Sequence, residues 1–404
     1  MESIRELYRI GHGPSSSHTM APGKAAEQFR TRHPEAARFR VHLYGSLAAT
    51  GRGHMTDWAI EQAFAPLPVE ILWEPEVELP GHPNGMRMEA FNVDGDCLDA
   101  RSVYSTGGGR IEWEGEESPH PVVYDLTTMH DILKHCTMHG ISFWEYVESC
   151  EGPEIWDYLR EVRQVMHNSI KRGIHAEGVL PGGLGLARRA WIFYRKQKIA
   201  GNNPLHPDGF LPAYALAVAE ENASGGEIVT APTCGSCGVL PAVLRHVQEK
   251  TDCRKDAVLR ALATAGLIGN LIKHNASISG AEVGCQGEIG AACAMAAAAA
   301  SQLQGGTVRQ VEYAAEMGLE HHLGLTCDPV DGLVQIPCIE RNVFAAARAV
   351  TCANFANMTD GAHRVSFDEV VEVMKQTGHD LPSLYRETAF GGLAKAYRFP
   401  PTEK

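Results

Sequence analysis

The 404 residues are 44% hydrophobic and 21% charged, with a formal net charge of -13. That balance belongs to an ordinary globular protein with room for more than one domain. The negative charge argues against a general binder of nucleic acid or of anionic membranes. The chain opens with SIRELYRIGHG, too polar for a signal peptide. Its most apolar stretch, AACAMAAAAASQLQGG, is an alanine run broken by Ser301 and Gln302, suited to a packed internal helix rather than a membrane span. A cytoplasmic protein is expected. The 11 cysteines are odd in number and scattered, which points to reduced thiols or metal ligands and away from a disulfide scaffold.

Residues 1 to about 120 read as a small α/β unit. AAEQFRTRHPEAARF suggests a surface helix ending near His42, and RVHLYGSLAAT a strand entering a glycine-rich turn. HMTDWAIEQAF restarts a helix, with His54 and Thr56 near its first turn. EILWEP, GMRMEAFNV and RSVYST are strand-like runs set apart by Pro, Asn-Gly and Asp-Gly signals. The charged, proline-bearing EWEGEESPHP marks a boundary near residue 120. Helical periodicity dominates beyond it, first in DLTTMHDILKHCTMHG, with Gly140 as its stop, and then in IWDYLREVRQVMHNSIKRGI. A series of alanine- and glycine-rich helices follows through NVFAAARAVTCANFANM, their small residues implying close helix–helix approach. The expected fold class is α+β, a small N-terminal α/β domain (1–120) followed by a mainly helical domain (121–404).

Several polar, glycine-rich loops interrupt these elements. GHGPSSSHTMAP carries Ser15, Ser16, Ser17, His18 and Thr19. Such a run either caps a helix or binds a carboxylate or phosphate through hydroxyls and N–H groups. GSLAATGRGHMTD offers His54 as a candidate general base, since imidazole titrates near neutrality. HNASISG presents Asn275, Ser277 and Ser279 just before a loop containing Cys285. Cys327 and Cys338 follow in LTCDPVDG and IPCIERN, again among turn formers. Three such thiols can close on one metal centre, but they match neither the spacing of a zinc finger nor that of a bacterial ferredoxin. Cys234 and Cys237 form a C-x₂-C pair that reads as half a zinc site, a redox pair or packing at a tight turn. The other six cysteines read as core residues. No dinucleotide or Walker motif occurs, and the flanks of Lys273 do not support a Schiff-base cofactor.

The motifs GPSSSHT, TGRGHMTD, NGMRMEA, STGGG, EGVLPGGL, NASISGAEVGCQGEIG, LTCDPVDGLVQIPCIERN and YRETAFGGLA occur in that order along nearly the whole chain. In this they resemble the bacterial iron–sulfur-dependent L-serine dehydratases, in the fused single-chain form. The resemblance implies a [4Fe-4S] cluster on Cys285, Cys327 and Cys338, with His54 as base on the substrate α-proton. It also implies that Ser15 to Thr19 and Asn275 to Ser279 line the substrate site, and that L-serine is converted to pyruvate and ammonia. A homodimer and an allosteric substrate-binding role for the small domain are implied as well. Competing readings are a related cluster-dependent lyase for threonine or cysteine, a non-catalytic iron–sulfur sensor and a metal-free structural protein. Two departures stand out. Family members often end in a cysteine that occupies the open iron, whereas this sequence has none after Cys352. Water, another side chain or an external ligand is therefore expected there. TCGSCG places Cys234 where the family pattern has asparagine, which raises the prospect of an altered substrate preference.

Overall fold

A computed structural model describes residues 1–116, 121–201 and 209–398. The boundary expected near residue 120 falls at residues 117–120, outside the described residues. The strands are β1 (Ile10–His12), β2 (Arg38–Tyr44), β3 (Val69–Glu74), β4 (Gly85–Phe91), β5 (Cys97–Ser105), β6 (Ile111–Trp113) and β7 (Glu227–Val229). Five of them form one mixed sheet in the order β3-β2-β4-β5-β6. β2 runs parallel to β3 and antiparallel to β4, and the remaining pairs are antiparallel. Alternation along β2 buries Phe39, Val41 and Leu43 and turns Arg38, Arg40 and His42 outward, as the two-residue period of a strand requires. The buried face joins the helices Ala21–Arg32 and Thr56–Phe64 in one core, where Phe39 stacks on Phe64 with ring centroids 4.1 Å apart.

Two local expectations change here. The first helix stops at Arg32, well before His42. His33 precedes Pro34, and the proline ring disfavours helical backbone in the residue before it. The stretch after β2 is a short helix, Gly45–Thr50, in place of a glycine-rich turn.

The helical domain is built around Ile289–Leu303, buried on every side from Ile289 to Ser301. A helix that is apolar all round belongs at the centre of a large core. The helices Val239–Thr251, Lys255–Asn275, Val308–Glu320 and Cys338–Asn357 surround it. Its alanines let these neighbours come close. A Cβ added at Gly318 would stand 2.9 Å from Ala294 Cα. The expected helix over DLTTMHDILKHCTMHG runs Met129–His139 and closes at Gly140 with φ 65°. Among the described residues, no single helix is long and apolar enough to cross a membrane. The fold is α+β, a small sheet domain followed by a helical one. The chain nevertheless begins inside the helical part. Met1, Ile4, Leu7 and Tyr8 belong to its core, and β1 pairs antiparallel with β7 through Ile10 and Val229.

Candidate active site

Three separate segments of the helical domain bring sulfur to one buried cavity. Cys285 lies in the turn Gly284–Gln286, just ahead of the helix Ile289–Leu303, and Cys338 is the first residue of Cys338–Asn357. Cys338 thus lies at a helix N-terminus, where unpaired N–H groups favour negative charge. Cys327 is on an extended stretch held by the C-terminal segment. Its N–H donates to Tyr385 O at 2.8 Å, and Thr388 N–H donates to Cys327 O at 3.1 Å. The three cysteines line the cavity together with Ser15, Ser16, His54, Glu288 and Glu387. Close packing leaves no room for a side chain at Gly280, whose added Cβ would stand 2.8 Å from Glu288 Oε2 and 3.2 Å from Cys327 Sγ.

The donor atoms of Cys285, Glu288 and Cys327 all lie within 4.8 Å of one another. Glu288 Oε2 is 3.7 Å from the sulfurs of both Cys285 and Cys327, while its Oε1 accepts from Thr233 Oγ1 at 2.7 Å. Burial, and next the charge of Glu387, push the Glu288 carboxyl above the usual carboxylate range. The Cys327 thiol is pushed up by its hydrogen bond with Cys285 and then by burial, and burial does the same to Cys338. Arg341, one turn into the Cys338 helix, donates from Nη1 to Thr326 O at 2.7 Å and so ties that helix to the Cys327 loop. Burial works against its charge, but Cys285, Cys338 and Cys327 together raise its pKa. Soft sulfur donors with a guanidinium and the N-terminus of the Cys338–Asn357 helix beside them fit a thiolate-held metal centre. Binding would release the Cys327 and Cys338 protons that burial now favours.

The small domain contributes His54, between Gly45–Thr50 and Thr56–Phe64. Its Nδ1 lies 3.0 Å from Thr50 O. A carbonyl only accepts, so Nδ1 carries the proton and Nε2 keeps its lone pair. Burial first, and then His18, hold the His54 pKa well below 6.5. Thr19 Oγ1 donates to His54 O at 2.6 Å and Thr56 Oγ1 to His18 O at 2.6 Å. The two imidazole centroids are 4.6 Å apart.

Of the residues singled out in the sequence, Ser15, Ser16, His54 and the three cysteines share the cavity. Ser17, His18 and Thr19 stand behind it. Ser17 Oγ lies 2.8 Å from His18 Nδ1 and donates to Glu387 Oε1 at 3.1 Å, and His18 Nε2 lies 3.2 Å from Ser46 Oγ. The serine loop is also capped, since Ser15 Oγ accepts from His18 N–H at 3.1 Å. Asn275 donates to Thr127 O and Leu271 O, and Ser277 donates to Glu282; neither lines the cavity. Ser279 is buried with an unpartnered hydroxyl, against Gly107 of the STGGG run. Cys234 is buried with its sulfur 3.3 Å from Met20 Sδ, and its neighbour Gly235 reaches the cavity. Cys352 lines a different cavity, beside Glu316 and His321. Sequence reasoning overlooked Glu288, Arg341 and Glu387. Glu288 had a signal, standing three residues after Cys285 in the same glycine-rich motif. Glu387 lies in YRETAFGGLA, one of the motifs that carry the resemblance, but nothing local marks its partner Ser17, 370 positions away.

Comparison with known proteins places both parts of the chain. The serine dehydratase beta chain model matches residues 3–65, and the serine dehydratase alpha chain model matches residues 88–394. The chain is 42% identical to an L-serine dehydratase of Streptomyces coelicolor, over 97% of this chain and 98% of that protein. It is 40% identical to the L-serine dehydratase of Haemophilus influenzae and 35% identical to that of Helicobacter pylori, in each case over 98% of this chain and 99% of the relative. These alignments run over 446 to 452 positions, so the relatives carry internal segments that the 404 residues lack. Matched through its sheet and its helices alike, the chain belongs to the serine dehydratase family, with the beta- and alpha-chain regions joined in one polypeptide.

Proposed function

We propose that the protein is a cytoplasmic L-serine ammonia-lyase that converts L-serine to pyruvate and ammonia. The observation that carries this reading is the meeting, in one buried cavity, of three thiols from the helical domain and a histidine from the small domain. Cys285, Cys327 and Cys338 would hold a [4Fe-4S] cluster. When bound, such a cluster supplies a Lewis-acidic iron not fully saturated by cysteine, which suits a poor leaving group such as hydroxide.

The chain's own residues account for the other half of the problem, the weakly acidic α-hydrogen. His54 has its Nδ1 proton committed to Thr50 O, so Nε2 is the atom that accepts the α-proton. Its lowered pKa keeps it unprotonated when substrate arrives. Thr19 and Thr56 hold the His54 and His18 backbones, which limits drift of the base. Ser16 offers a hydroxyl to the substrate from the same wall, and Ser15, whose Oγ accepts from His18 N–H, shapes the loop beside it. Loss of the α-proton and the β-hydroxyl gives aminoacrylate, which tautomerises to an imine and hydrolyses to pyruvate and ammonia. Self-association as a homodimer draws support from an exposed apolar stripe, Phe344, Phe355 and Met358, along one face of the Cys338–Asn357 helix and its end.

The test is ammonia and 2-oxo-acid release by oxygen-free protein given L-serine, L-threonine or L-cysteine, with iron measured alongside. Rapid pyruvate formation from serine, lost together with the iron, is the expected result. Full iron content with no turnover of serine would reject the serine assignment.

A further inference from the structure

The cavity holds a carboxylate that its own chain leaves half used. Glu387 Oε1 accepts from Ser17 Oγ at 3.1 Å and lies 3.4 Å from His18 Nδ1. Its Oε2 is buried and has no hydrogen-bond partner among the described residues. Burial pushes the Glu387 carboxyl up to about 7; Ser17, His82, the Ala281 amide and the Asn84 side chain act against that, but neither Ala281 nor Asn84 completes a bond to Oε2. Glu288, the other carboxylate on the cavity wall, differs in this respect. Its Oε1 is bonded to Thr233, and its Oε2 lies between two thiols.

The chain also holds Glu387 in place at an energetic cost. Its backbone is left-handed, with φ 44°, a conformation that side chains bearing a Cβ rarely adopt. Bonds on both sides maintain it, from Cys327 N–H to Tyr385 O and from Thr388 N–H to Cys327 O. Further on, Leu393 N–H donates to Asp328 Oδ2 at 2.7 Å. A buried carboxylate oxygen without a donor is unfavourable unless a ligand supplies one. An amino-acid substrate does so through its α-ammonium, which carries three N–H donors and its positive charge.

We propose that Glu387 Oε2 receives the α-ammonium of the substrate and sets the demand for a 2-amino acid over a 2-hydroxy acid. The inference rests on the serine reading above and adds the residue that recognises the amino group. Ser17 and His18 link this position to the base. Ser17 bonds to Glu387 and meets His18, whose ring lies against that of His54. An ammonium at Oε2 thus leaves the α-carbon, one bond away, inside the cavity that His54 lines.

The experiment compares cluster-loaded wild type and Glu387→Gln, oxygen-free, in two ways. One is L-serine turnover with glycerate as competitive inhibitor, glycerate having a hydroxyl where serine has its ammonium. The other is equilibrium binding of each compound. The expected result is weakening of L-serine by about a hundredfold, with glycerate changed less than about threefold and iron content unaltered. Equal weakening of both compounds would overturn the proposal, as would undiminished serine binding, which would leave only a water at Oε2. Should Glu387→Gln fail to take up iron, Ser17→Ala keeps the carboxylate but removes its anchor. A smaller loss confined to serine is then expected, and an equal loss for glycerate overturns the idea. If wild type binds L-serine without turning it over, the activity reading fails while the binding comparison still decides the role of Glu387.

Discussion

His54 is an imidazole beside a carbonyl and a second imidazole, and burial first, then His18, lower its pKa against the opposing pull of Thr50 O. Because its pKa is lowered, the neutral base persists as pH falls through 6.5 and is lost only well below it. The acid limb of the kcat/KM profile for L-serine is therefore expected well below pH 6.5, and a limb at or above that value would remove His54 as the base. His54→Ala is expected to lower kcat by about a thousandfold with iron content unchanged. At this scale the sequence was informative wherever chemistry-bearing residues sat in short runs of turn formers, as His54 and the three cysteines do. It placed Glu387 in a family motif but gave it no role, because that role depends on Ser17 at the other end of the chain. Asn275 and Ser277 show the converse. Their neighbourhood in sequence to Cys285 did not bring them to the cavity, because a helix end and Glu282 engage their polar groups first.

The helices were legible from their 3.6-residue period, and their ends from capping residues and glycines. What the period could not disclose is which buried faces carry charge. Glu316 lies in Val308–Glu320 at 3% exposure, and burial, then Glu320 and Glu312, push its carboxyl up to about 8. An acid whose folded pKa exceeds its ordinary value near 4.5 binds more protons folded than unfolded between the two. Its contribution is fully present below the lower value and is lost as pH rises through the upper one. Glu316→Gln is thus expected to raise thermal stability at about pH 9, by roughly 1–3 kcal/mol, and to change little near pH 4. Melting curves of both proteins across that range are the check. β1 and β7 escaped notice for a related reason. Each is only three residues long, too short for alternation to register, and only their pairing across the fold makes them strands.

Across the whole molecule, the cavity belongs to neither core alone. The small domain and the serine loop supply His54, Ser15 and Ser16, and the helical domain supplies the thiols. The N-terminal residues join the two parts, since Tyr8 is fully buried in the helical core and donates to Leu262 O at 2.9 Å. Tyr8→Ala is expected to destabilise the protein by about 3–5 kcal/mol, seen as an earlier chemical unfolding midpoint, although the site lies 254 positions from Leu262 in the helix it bonds. Composition and periodicity by themselves determined an α+β chain with a small sheet unit ahead of an alanine-rich helical one, because burial patterns are written locally. The motifs, in their order, determined the family. Only the tertiary structure decided which polar groups share one cavity, that Ser17 and His18 support its wall, and that one oxygen of Glu387 is left without a donor among the described residues. Those outcomes depend on contacts between segments hundreds of residues apart, and local sequence carries no record of such distances.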